Sequence, residues 1–312
     1  MKVAMINDCA SVGETLLKFM PKEVNSVHLC RDRGLWNKTL GLAWKIHKLN
    51  ADLYHVNYLL QDCFLARHLN KKPLIGHAHG SDLREMIHSK RYGWIVRGNL
   101  KHCDKILVAQ PTILEVAKQF NNTAEYLPIP FNPLLFYPKP ILTNTPKKIF
   151  IASTHNFRIK GTDKFLLALK NVPNVEIKSF AAGPDYQSAV KMASNLNIKF
   201  ISKVPHEKIN ELYWESDLVL GSCGIGQLDT VAIEAMACGR PVIHHLKESY
   251  YSNVPLPRCT DSTETLENAI NAFLNDTQAV NALINSQIEY VNATHEASKV
   301  AAHLFDIYKQ LA

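Results

Sequence analysis

Four stretches of this chain hold polar side chains whose types and spacing could do chemistry. The apolar run Leu74–Ala78 leads into His79-Gly80-Ser81-Asp82, which puts an imidazole at the end of a predicted strand. Neutral imidazole can hydrogen-bond a sugar hydroxyl or a phosphate oxygen, and it titrates near neutral pH. His77, within the run, is expected to point to the opposite face and to be structural. The run Ile149–Ser153 is followed by His155, Arg158, Lys160 and Gly161, with a helix from about Thr162. Two cations beside a helix start suit a diphosphate; an exposed basic turn is the plainer alternative.

Leu218–Gly221 runs into Ser222-Cys223-Gly224-Ile225-Gly226-Gln227-Leu228-Asp229 and a helix Thr230–Ala237. The glycines permit close backbone approach to a ligand, and Asp229 or Thr230 could cap the helix. Glu234 lies among Val231, Ala232, Ile233, Ala235 and Met236, where a carboxylate is costly without a partner. A ribose diol would serve, and so would a buried ion pair. In the last stretch, Lys2–Ile6 precedes a polar turn and an apolar helix with Gly13 at its entry, where a backbone amide could meet an anion. There is no Gly-x-Gly-x-x-Gly, so a nicotinamide or flavin site is unsupported.

The elements that position these residues alternate strand with helix. Strands are expected at Lys2–Ile6, Asp52–Asn57, Leu74–Ala78, Lys105–Ala109 and near Glu125–Leu127, with helices such as Leu40–Leu49 and Thr112–Phe120 between them. The pattern restarts with Ile149–Ser153, Val175–Ala181, Ile198–Ser202, Leu218–Gly221 and Pro241–His244. Three helices follow, near Thr263–Leu274, Ala279–Val291 and Glu296–Leu311. Such alternation predicts doubly wound parallel sheets, and 312 residues predict two of them. Between the halves, Pro128, Pro130, Pro133, Pro138, Pro140 and Pro146 exclude regular helix or central strand and read as a linker.

Hydrophobic residues make up 46% and charged residues 20%, which excludes a disordered or fibrous chain. The seven cysteines form no Cys-x-x-Cys pair, so core packing is expected, as for Cys30 and Cys238 in apolar runs. No apolar stretch approaches a membrane span or a signal-peptide core, and a cytoplasmic protein is expected. Residues 1–148 hold 21 Lys/Arg against 11 Asp/Glu, and the remainder 14 against 17. A basic first half suggests an anionic neighbour, or only an uneven solvated surface. Arg84, Lys90, Arg91, Arg97 and Lys101 interleave with Met86, Ile87, Tyr92, Trp94, Ile95 and Val96. That mixture suits an anionic membrane surface, or a helix that packs Trp94 inward. No nucleic-acid-binding module is present.

Together these stretches resemble the GT-B glycosyltransferases of family 4 over nearly the whole chain. His79-Gly80-Ser81-Asp82 is similar to the family's His-Gly-x-Asp element, and Cys103-Asp104-Lys105-Ile106-Leu107-Val108 to its Ala-Asp-x-Ile-Ile-x strand. Arg158-Ile159-Lys160-Gly161-Thr162 resembles its Lys-Gly-x-Asp stretch. Glu234-Ala235-Met236-Ala237-Cys238-Gly239-Arg240-Pro241-Val242-Ile243 follows the Glu-Ala-Met-Ala-x-Gly-x-Pro-Val-Ile signature almost letter by letter.

The resemblance implies a GT-B fold of two Rossmann-like domains facing across a cleft. An acceptor-side domain would span 1–142 and a nucleotide-sugar-binding domain 143–295, with the terminal helix 296–312 packing back on the first. It implies a nucleotide-diphosphate sugar donor and a hydroxyl acceptor on a glycan, a lipid-linked glycan or a small molecule. Transfer would be retaining, with neither metal nor cofactor. Arg158 and Lys160 would hold the diphosphate, Glu234 the ribose, and His79 the donor sugar. Gly13, Gly226, Gln227, Asp229, Thr230 and Val231 would line the donor. The family's first glutamate is absent, its place being Gly226, and its usual arginine five residues before Lys160 is His155. Gln227 or Asp229 could replace the former and Arg158 the latter. A nucleotide-sugar epimerase or hydrolase of the same architecture, or a non-catalytic nucleotide-sugar-binding scaffold, are the competing expectations.

Overall fold

The computed structural model describes residues 1–31, 40–141, 145–257, 259 and 262–312. The chain divides into two compact units, Met1–Pro130 with Ala297–Ala312, and Phe131–Glu296. The expected boundary at 142–143 lies outside the described residues.

The first unit is built on six parallel strands: β1 (Lys2–Ile6), β2 (Asn25–Leu29), β3 (Leu53–Asn57), β4 (Leu74–Ala78), β5 (Lys105–Val108) and β6 (Glu125–Tyr126). Their order is β2-β1-β3-β4-β5-β6. β3 and β4, in the middle of the sheet, are buried along their whole length. Sequence reasoning missed β2, whose Asn-Ser-Val-His-Leu stretch is polar and partly exposed at the sheet edge. On one face, Ala4, Ile6, Val56, Leu74, Ala78, Ile106 and Val108 join the main core. Buried His55, Asn57 and His77 occupy the alternate positions of the strands. Tyr308, on the helix Ala297–Leu311, meets His55, so the last helix belongs to this unit.

The second unit has five parallel strands: β7 (Lys147–Ile151), β8 (Val175–Phe180), β9 (Ile198–Ile201), β10 (Leu218–Leu220) and β11 (Val242–Ile243). They run β11-β10-β7-β8-β9. Two doubly wound parallel sheets make the fold GT-B.

Three expectations need correction. The proline-rich stretch is no free linker over residues 131–140. Asn210 and Trp214 donate to the carbonyls of Leu135 and Tyr137, and the buried Arg240 guanidinium donates to those of Lys139 and Pro140 at 2.8 and 3.2 Å. Prolines leave the carbonyls free to accept, and the second unit supplies the donors. Cys30 is exposed rather than in a core, just past the edge strand β2. Trp94 does not pack inward: it is 56% exposed, its ring edge against Phe64, while Val96, Asn99 and Leu100 form the buried side of its helix, Gly93–His102. Among the described residues no helix is long and apolar enough to cross a membrane.

Candidate functional site

Loops at the carboxyl ends of β7 and β10 build the main cluster. After β7 comes a short helix Phe157–Lys160, capped by Asn156, then Gly161 in the left-handed region and a second helix Thr162–Ala168. A Cβ on Gly161 would lie 2.7 Å from the Cys223 backbone, so only glycine admits the contact that follows. The Cys223 amide donates to the Lys160 carbonyl at 2.9 Å, and the Ile225 amide to that of Ile159 at 3.3 Å. The two loops are thereby joined backbone to backbone.

This junction delivers Lys160 to Asp229. The ammonium donates to Asp229 Oδ2 at 2.6 Å, and Asp229 Oδ1 caps the helix Thr230–Ala237 by accepting the Ala232 amide at 3.2 Å. Burial alone would raise the Asp229 carboxyl, but the Lys160 charge, the nearby His244 and the capping amide hold it down at about 2. The amides of Thr230 and Val231, the first of that helix, take no partner among the described residues. A cation at a helix N-terminus is electrostatically adverse unless an anion sits with it. Asp229 is that anion here, and the open amides can receive another. Lys160 therefore serves the start of Thr230–Ala237 through Asp229, rather than the start at Thr162 expected from sequence. Arg158 lies exposed on the short helix.

His155 is held inside the unit by its own partners. It is buried, with Nδ1 at 3.2 Å from Thr162 Oγ1, Nε2 at 3.1 Å from Ser179 Oγ and its ring stacked near Tyr186. His244, also buried, accepts the Ser222 amide at Nδ1 and donates from Nε2 to the Gln227 carbonyl at 2.7 Å, which holds the glycine loop in shape. Gln227, within that loop, is itself buried.

Glu234 is buried, and burial raises its carboxyl pKa against the lowering effect of its partners. His206 Nε2 lies 2.5 Å from Oε1, and the Tyr213 hydroxyl donates to Oε2 at 3.3 Å. The sequence offered no signal for His206, one of 14 histidines and separated from Glu234 by 28 positions. Each carboxylate oxygen has two acceptor sites, so both retain capacity for a diol.

Gly226 stands at φ +69°, and a Cβ there would come within 2.8 Å of Lys247 Cγ. The backbone here disfavours the family's glutamate, since a non-glycine residue in the left-handed region costs roughly 1–2 kcal/mol. Beside it a cavity of about 380 Å³ is lined by His245, Lys247, Tyr251, Val254, Leu256 and Pro257, among others. Its size suits a small ligand.

In the first unit, Asp82 collects the amides of Leu59, His79 and Gly80 at 3.3, 3.2 and 2.8 Å, which fixes the turn carrying His79. His77 does not take the opposite face: residues two apart share a face, and the His77 and His79 rings lie 4.3 Å apart. His77 is structural as expected, bonded through Nδ1 to His55 Nε2 at 3.2 Å. Desolvation draws His79 down to about 4 against the opposing field of Asp8, so the ring is neutral at physiological pH. At the Gly13 turn the amides of Gly13 and Glu14 donate to the Asp8 carboxylate at 3.0 and 2.9 Å. Among the described residues no three His, Cys, Asp or Glu side chains gather as a metal-binding set.

Residues 136–289, which hold Lys160, Asp229 and Glu234, match the family model described as glycosyl transferases group 1. The second unit is a group 1 glycosyl transferase domain. With that domain on a GT-B fold, the chain is a glycosyltransferase. No curated protein matches it. Among solved structures, a sucrose-phosphate synthase from Thermosynechococcus elongatus is 17% identical, with 99% of this chain and 98% of that one covered at a TM-score of 0.76. HepE from Anabaena, in complex with UDP-glucose, is 15% identical, with both chains fully covered and a TM-score of 0.76. A UDP-GlcNAc 2-epimerase from Neisseria meningitidis, bound to UDP-GlcNAc, is 11% identical, with 99% of this chain and 100% of that one covered at a TM-score of 0.64. At these identities the likeness is one of fold.

Proposed function

We propose that this glycosyltransferase carries a sugar from a nucleoside diphosphate to an acceptor hydroxyl on a glycan, a lipid-linked glycan or a small molecule. It does so with retention and without a divalent metal, as family 4 enzymes do. The observation that carries the reading is the Lys160 ammonium held at the start of Thr230–Ala237 beside two open amides. As the glycosidic bond breaks, its electron pair passes to the β-phosphate oxygen, where this cation and these amides stabilise the new charge. The acceptor oxygen bonds to the anomeric carbon, and its proton goes to the departing diphosphate. Arg158 supplies a second cation, Glu234 takes the ribose diol, Gly226 and Gln227 line the donor, and His79 takes a hydroxyl of the donor sugar.

Two of the similar structures hold uridine diphosphate sugars, which makes these the first donors to try. With a labelled donor and a panel of hydroxyl acceptors, a labelled acceptor and free nucleoside diphosphate are expected. Epimerised or free sugar as the sole product would move the reading to an epimerase or hydrolase. Donor binding without turnover on any acceptor would leave a scaffold.

The acceptor side faces a cytoplasmic, anionic membrane surface in this reading. Arg91 and Arg97 flank the exposed Trp94, a combination of charge and aromatic ring suited to headgroups. Flotation with vesicles containing phosphatidylserine should exceed flotation with neutral vesicles and fall in Trp94→Ala. Equal recovery from both vesicle types would refute it.

A further inference from the structure

The surroundings of Asn57 decide which nitrogen of His79 carries its proton. Asn57 is fully buried at the end of β3. Its Nδ2 lies 3.2 Å from the Asn7 carbonyl oxygen and 3.1 Å from Met5 Sδ, both of which only accept. The amide oxygen is therefore the atom turned to His79 Nε2, at 2.9 Å. A carbonyl oxygen only accepts, so Nε2 must donate, and in a neutral ring Nδ1 then bears a lone pair. Nδ1 has no partner among the described residues. The ring is further held by His77 at 4.3 Å and by the backbone tie of His79 to Asp82.

Gly13 makes this arrangement possible. A Cβ at that position would sit 3.0 Å from Asn57 Nδ2 and 3.4 Å from Asp8 Cγ, a contact that forces the amide to move by a few tenths of an ångström. The glycine at the first turn is explained by the space Asn57 needs.

We propose that Asn57, seated against Gly13, is a positioning residue that fixes His79 as its Nε2–H tautomer and leaves Nδ1 as a pure acceptor. Such a group binds an O–H donor and rejects an ionised phosphate oxygen, which brings only lone pairs. The ligand group at His79 is thus a hydrogen-bond donor, as a sugar hydroxyl is. That last consequence rests on the proposed place of His79 at the donor sugar; the tautomer itself does not.

Long-range ¹⁵N–¹H correlation spectra of the full chain, with His79 assigned by its loss in His79→Gln, read the tautomer directly. In the unsubstituted protein Nε2 should show a pyrrole-type shift and Nδ1 a pyridine-type shift. Asn57→Leu, similar in shape but unable to accept, should draw both shifts toward averaged values, and Gly13→Ala should draw them part of the way. A proton on Nδ1 in the unsubstituted protein, a measurement that needs no variant to fold, overturns the proposal. So does an unchanged His79 spectrum in folded Asn57→Leu. If Asn57→Leu frees the tautomer yet turns over donor normally, the lock stands and it is the place of His79 in the reaction that fails.

Discussion

Lys160→Ala is expected to lower turnover at least ~100-fold, the scale of losing one fixed donor from a site of developing negative charge. The structure adds a second effect. Asp229, half-buried and held near 2 chiefly by Lys160 against its own desolvation, loses its counter-charge. A carboxyl depressed in the folded state stabilises the fold above its ordinary pKa of 3.8, and that contribution disappears as pH falls toward 2. The difference corresponds to about 2 kcal/mol. Acid unfolding of Lys160→Ala should therefore begin from a lower stability and show a shallower decline between those pH values. Asp229→Asn separates the two effects, since asparagine caps a helix as well as aspartate does. It should bind nucleoside diphosphate several-fold more tightly, because Lys160 no longer has a resident anion to leave. Normal turnover in Lys160→Ala would remove this residue from the chemistry, and weaker binding in Asp229→Asn would show that the carboxylate assists the ligand.

Glu234→Gln is expected to weaken nucleoside diphosphate binding roughly ten- to a hundredfold, the value of hydrogen bonds to a charged acceptor. The decisive comparison is with a 2′,3′-dideoxynucleoside diphosphate. If the carboxylate holds the ribose diol, calorimetry will show that the substitution leaves the affinity of this analogue almost unchanged. If Glu234 serves only to hold His206 and Tyr213 in place, the two ligands will lose affinity equally.

The sequence disclosed the residues that obey local rules. β1 and β4 are apolar runs of strand length, and Lys160 and Glu234 stand out as charges against turn and helix patterns. What it concealed is non-local. Lys160 and Asp229 are 69 positions apart, and their meeting depends on a backbone junction that no periodicity encodes. Asp8 and Gly13 are close in sequence, yet nothing in their types says that the carboxylate turns onto the Gly13 and Glu14 amides instead of leaving them to a ligand. Edge strand β2 escaped notice because an edge needs only one apolar side, and here scarcely that. The proline stretch was legible as irregular chain but not as attached chain, since its partners Asn210, Trp214 and Arg240 come much later.

That attachment bears on how the protein can be dissected. Arg240 is almost wholly enclosed and spends its guanidinium on the carbonyls of Tyr213, Trp214, Lys139 and Pro140, among others. A fragment of the second unit begun after the prolines would strand a positive charge in the interior with part of its acceptors cut away, a defect costing several kcal/mol. A fragment of this unit should instead begin at Phe131, with the first ten residues acting as an integral wall of the unit.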